Sequence, residues 1–218
     1  MPSFITIGKI VLFEPLLFGL IFISAISCII FGLYNSRDKI KDQEFKNLKT
    51  LLFLFLGLSL LFGAVTHGFF PNFVSGRLIL WKASLVILGL SALVNFFIAG
   101  YLWNYSKRKL IYFIAIAEFI FYQFYVTSIN SDFDIALTNY FISVAFFYLV
   151  SFKIKNLKNK NLGIFAFLLL FSSFLFYIFR ITLQKDYFNY IILYHLLFFG
   201  SNILMFKYCK WMIVKHNI

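Results

Sequence analysis

Seven apolar runs of about 20 residues each constrain this chain more than any other feature. They cover 11–34, 47–67, 78–102, 110–128, 133–151, 162–181 and 187–206. A helix rises about 1.5 Å per residue, so each run is long enough to cross a hydrocarbon core about 30 Å thick. Barrel strands alternate apolar and polar positions over about ten residues, and these runs do not alternate. The expected fold class is all-α: a polytopic membrane protein, a seven-transmembrane-helix bundle. No repeat of about 20 to 50 residues and no Pro/Gly/Ser-rich linker divides the chain, so residues 1–218 are expected to form a single domain.

The formal charge of +12 invites a nucleic-acid reading, but the basic residues are distributed by loop rather than gathered on one face. Fifteen of the 20 Lys and Arg fall in alternate connections and the C-terminal tail: Arg37, Lys39, Lys41, Lys46 and Lys49; Lys107, Arg108 and Lys109; Lys153, Lys155, Lys158 and Lys160; Lys207, Lys210 and Lys215. Lys9, Arg77, Lys82, Arg180 and Lys185 lie on the other side, where Asp132 and Asp134 make one loop acidic. The positive-inside rule then puts the N-terminus outside and the C-terminus in the cytoplasm. The expected partners are membrane lipids and membrane proteins, and no nucleic acid. Trp81, Trp103 and Trp211 fall near the expected interfaces. Cys28 and Cys209 lie toward the reducing side, so no disulfide is expected. No small-residue cleavage site follows the first run, which is expected to be retained as a span. The 33 phenylalanines accompany abundant Lys, Asn and Ile, a set that AT-rich coding also favours, and are not read as a cofactor box.

An ionisable group inside a span is costly and marks a candidate site, so depth along each helix is informative. Glu14 falls three or four residues into the first run, and His67 ends the second. Lys82 is one turn into the third, and His195 is about eight residues into the seventh, some 12 Å from its end. All four share the outer third. Each also has a plainer reading: an interfacial ring for His67, an interhelical hydrogen bond for His195, a snorkelling ammonium for Lys82 and a solvated carboxylate for Glu14. Glu118 lies near mid-membrane and must be protonated or paired. Ser59, Asn95 and Asn202 suit interhelical hydrogen bonds, and Arg180 suits an anchor at the outer end of the sixth helix.

Two imidazoles and a carboxylate on three helices suit a catalytic zinc, which takes three protein ligands and one water; Glu14, His67 and His195 are the candidate set. Haem b between His67 and His195 needs only two ligands. Retinal needs a mid-span lysine in the seventh run, and 187–206 has none.

The stretches "GAVTHGFF", "LILWKASLVILGLSALVNFF" and "FNYIILYHLLFFGSNILMFKY" resemble a family of small bacterial seven-helix proteins related to the alkaline ceramidases and adiponectin-type receptors. The resemblance implies a multi-pass protein of the bacterial inner membrane and a zinc-dependent hydrolase of a lipid amide or ester. It places His67 and His195 where that superfamily holds zinc. The chain departs from the pattern at Gly63, Leu78, Ile191 and Phe199, where the superfamily has a serine, an aspartate and a second seventh-helix histidine at one of the last two positions. Glu14 is then the candidate third ligand. The alternative is a non-catalytic membrane subunit or receptor-like module whose polar layer is structural or binds a ligand.

Overall fold

The structure, a computed structural model, describes residues 4–7, 10–38, 42–70, 75–103, 105–154, 159–183 and 189–212. Lys9, Lys39, Lys41, Lys155, Lys158, Lys185, Lys215 and the side chain of Trp211, all used above, lie outside the described residues.

Seven helices account for the apolar runs. They are α1 (Pro15–Ser36), α2 (Gln43–Phe69), α3 (Ser75–Trp103), α4 (Tyr105–Phe124), α5 (Phe133–Phe152), α6 (Lys160–Ile178) and α7 (Tyr190–Trp211). All seven are long and apolar enough to cross a membrane, which points to a multi-pass membrane protein. One π-helical turn, Tyr125–Ile129, prolongs α4.

The first boundary differs from expectation. Two antiparallel strands, β1 (Phe4–Ile7) and β2 (Ile10–Phe13), precede α1, with Phe4 opposite Phe13 and Thr6 opposite Val11. The β-branched residues Ile5, Thr6, Ile7, Ile10 and Val11 favour this extended pairing. Pro15 supplies the fixed φ of a first helical residue and disfavours helix at the residue before it. Glu14 is therefore not inside the first helix: it is the residue ahead of it, in the left-handed region at φ 45°.

α2 and α7 start at side-chain caps. The Asp42 carboxylate accepts from the Phe45 amide, and the Asn189 side chain accepts from the Ile191 and Ile192 amides, each satisfying a first-turn donor that the helix cannot. α3 is the most buried span, packed against α2, α4 and α5, whereas α4 and α6 are peripheral. α1 packs along α2, and α7 packs along α6 and touches α1. Helix direction alternates, so the hairpin, the end of α2 and the starts of α3 and α7 share one end of the bundle. That end carries the candidate site.

Candidate ligand chamber between α2, α3 and α7

Position 67 faces inward because helical neighbours three and four residues apart lie on one face. On α2 the stripe Leu56, Ser59, Leu60, Gly63, His67 lines a cavity of about 220 Å³. On α3 the matching stripe is Trp81, Ser84 and Leu88, and on α7 it is Ile191, Tyr194, His195 and Phe198. Phe133 of α5, Tyr177 of α6 and Ile21 of α1 complete the wall. The structure thus brings His67 and His195, from helices 128 residues apart in sequence, onto one largely apolar chamber.

The two histidines differ. His67 is half-buried, and its Nδ1–H donates to Glu14 Oε2 at 3.2 Å. Its ring stands edge-on to Trp81, with centroids 6.2 Å apart at 88°. His195 is only 8% exposed, packs against the Tyr194 ring, and keeps Nδ1 buried with no hydrogen-bond partner. A buried polar atom left without any partner, water or ligand included, costs about 1–3 kcal/mol. Ser59 and Ser84 are committed differently. Each hydroxyl donates to the other's main-chain carbonyl at 2.9 Å, pinning α2 to α3 beside the chamber. Ser59 is an interhelical contact, as the sequence suggests.

Gly63 keeps the chamber open. A Cβ there would meet only Ser84 Oγ at 3.6 Å, an ordinary contact, so larger side chains at this position grow into the cavity. A second recess of about 180 Å³ shares His67 and Trp81 with the chamber and is lined also by Arg77, Ser131 and Asp132. Trp81 Nε1 donates to Ser131 O at 2.8 Å, so the loop before α5 is tied to the shared wall.

The remaining candidates lie elsewhere. Lys82 does not line the chamber: its Nζ donates to Thr127 O at 2.7 Å in the π-helical turn. Consecutive helical residues point about 100° apart, so if Trp81 faces the chamber, Lys82 faces α4. Glu118 lies on α4 in a separate cleft. Asn95 Nδ2 donates to Ser143 Oγ at 3.4 Å, whereas Asn202 Nδ2 is buried without a partner. Arg180, at φ 50°, is exposed beyond the end of α6. Cys28 and Cys209 are free and buried. Sequence reasoning missed Trp81, Ser84, Tyr177 and Tyr194 as wall residues. The i, i+3, i+4 spacing of Ser84 from Trp81 and of Tyr194 and His195 from Ile191 was a usable signal for three of them.

The Glu14 carboxyl is held below the ordinary carboxylate range, first by the hydrogen bond from His67, with the charges of His67 and Arg77 adding and partial burial opposing. A depressed folded value contributes stability that is present above the unfolded carboxyl's range and is lost as pH falls through the folded value. The melting temperature of the wild type should therefore drop more than that of Glu14→Gln as pH is lowered below about 5. The Glu14 side chain is 43% exposed, so solvent screening holds the difference to about 0.2–1 kcal/mol. Parallel pH profiles for the two proteins would remove this pair from the account.

Among the described residues, no three His, Cys, Asp or Glu side chains gather into a metal-binding group. Glu14 meets the ring of His67 instead of extending past it.

No curated protein and no solved structure matches the chain. The model of a family of unknown function, DUF6962, matches residues 21–212, which include every residue that lines the chamber, and the chain belongs to that family.

Proposed function

We propose that this chain is a membrane-embedded binding module whose chamber holds a compact, largely apolar molecule carrying one hydrogen-bonding group. The observation that carries the proposal is the convergence of His67 and His195 on one apolar cavity of about 220 Å³. A dry apolar cavity of about 150 Å³ is enough to admit benzene or xenon, so a molecule of one or two rings suits this volume. The walls from α1, α2, α3 and α7 exclude water and supply most of the binding free energy. His195 supplies a deep polar contact. His67, oriented by Glu14 through Nδ1, leaves Nε2 as the nitrogen available to a ligand, and the recess beyond it is the entry from the surface.

The distribution of basic residues places that entry outside the cytoplasm. A cysteine at Ser131 is then expected to react with an impermeant maleimide added to intact cells, and a reporter after Lys215 is expected to read cytoplasmic. The reverse pattern turns the chamber toward the cytoplasm.

The reading as a zinc-dependent lipid hydrolase draws on the resemblance to alkaline ceramidases, and a bis-histidine haem draws on the same two rings. Among the described residues no three such donors form one metal-binding group, and the Glu14 carboxylate is engaged by His67 Nδ1. No chemical step is derived through either group.

The binding reading is tested with p-cresol and toluene, which share shape and differ by one hydroxyl. In neutral detergent, p-cresol should raise the melting temperature of the wild type about 2 °C more than toluene, the equivalent of one hydrogen bond of about 1 kcal/mol in a chain of this size. Gly63→Leu should abolish both shifts, and His195→Phe should abolish the difference between them. Equal shifts in wild type and Gly63→Leu would sink the proposal.

A further inference from the structure

The chamber is not the one recess among the described residues. A cleft of about 500 Å³ lies between α3, α4 and α5, within the size range of small-ligand sites. α4 is held to α3 by Tyr122 Oη and Gln123 Nε2, which donate to Leu85 O and Val86 O at 2.9 and 3.0 Å. Its other face, with Phe113, Ile120 and Phe124, is exposed along the span. The cleft therefore opens sideways into the bilayer.

Its lining pairs carboxylates with aromatic rings. Phe96, Phe121, Tyr122 and Tyr125 form the aromatic wall, and Glu118 and Asp134 are the acidic groups. Glu118 stands at the middle of the span Ser106–Ile129, and among the described residues no hydrogen bond or ion pair reaches it. Asn139 also lines the cleft, and its Nδ2 is buried without a partner. A carboxylate at mid-membrane costs at least about 2.5 kcal/mol unless it is neutralised or paired, and among the described residues no cation pairs with it.

We infer that this cleft binds a membrane-soluble single-chain amine, with its nitrogen against Glu118 and its chain along the aromatic wall. Three observations select that occupant. Glu118 can form an ion pair with a base that takes its proton, and aromatic faces favour an ammonium over a neutral head. The depth excludes the amine headgroup of a bilayer lipid, which sits about 15 Å away at the interface. The volume excludes a partner helix, whose diameter with side chains is about 10–12 Å. The amine arrives through the bilayer as the free base and takes the proton of the Glu118 carboxylic acid. The ion pair that forms conserves charge and needs no other reactant.

The test is native mass spectrometry of the full chain released from dodecylmaltoside, with dodecylamine and 1-dodecanol as matched probes. One dodecylamine should bind per chain, with dodecanol at least tenfold weaker. Glu118→Gln should weaken the amine at least tenfold and leave dodecanol unchanged. Ile142→Trp, at an exposed position on the cleft wall, should exclude the amine while Glu118 stays in place, which covers the case in which Glu118→Gln does not fold. Equal affinity for the two probes, or an amine affinity indifferent to both substitutions, overturns the inference. A second copy of the chain or another protein held at the cleft in place of the amine overturns it as well.

Discussion

Gly57→Leu should separate α1 from α2 and cost on the order of 3 kcal/mol, the upper end of overpacking penalties. A Cβ on Gly57 would lie 2.9 Å from both the Ala25 carbonyl oxygen and the Ile29 amide nitrogen, and 2.7 Å from Ile29 Cγ1. Two of these atoms are backbone and cannot rotate away, so the helices must part. Membrane helices associate through such close approach, since lipid is as apolar as their side chains and offers no hydrophobic drive to pair. Gly19 is the matched control: nothing lies within 4 Å of its Cβ position, and Gly19→Leu should be near neutral. The measurement is the fraction of SDS at half-unfolding in mixed micelles. Equal midpoints for the two variants would contradict the α1–α2 packing. Because Ile21 of α1 and Leu56 of α2 both line the chamber, Gly57→Leu should also weaken p-cresol binding.

Asp38→Asn should cost about 3–5 kcal/mol, the usual penalty for stranding one member of a buried ion pair. Lys49 is buried at the end of the bundle away from the chamber, and its Nζ lies 3.6 Å from Asp38 Oδ2 and 5.2 Å from the centre of the Phe45 ring. The carboxylate is the one ion-pair partner that the described residues give this ammonium. Removing the charge itself should behave differently. Lys49→Met keeps the stem and fills the same space, and replacing a buried ion with an apolar group of similar volume is often neutral or stabilising. The pair of variants separates a charge effect from a packing effect: Lys49→Met as harmful as Asp38→Asn would mean that packing of the stem, not the ion pair, holds this end together.

Much of the chamber was legible because depth in a membrane helix follows from counting residues. That count put Glu14, His67 and His195 at one end of the bundle, where the structure also has them, and the α2 stripe from Ser59 through Gly63 to His67 was visible in the spacing. Azimuth was harder. Spans that are apolar all round carry little periodicity, so the sequence did not say which face of α3 meets α2 and which meets α4. Lys82 shows the cost: its depth matched the site, but the helix turns it toward Thr127 O. The hairpin ahead of α1 was missed because its last residues, Val11 to Phe13, were read into the first apolar run, and Pro15 was not given enough weight as a helix start. The cleft beside Glu118 was invisible for a further reason. It exists because α5 packs on α3 while α4 stands to one side, and lateral order of this kind is set by small differences in helix contact.

The central claim is that His67 and His195 border a single apolar chamber open to a compact ligand, and xenon tests it most directly. Xenon enters dry apolar cavities and scatters strongly enough to be located in a crystal. Crystals of the wild type under xenon pressure are expected to show a site bounded by Gly63, Trp81, His195 and Phe198, and crystals of Gly63→Leu are expected to lack it. Xenon found only on the lipid-facing surfaces of the wild type, with no site between the two histidines, would contradict the account.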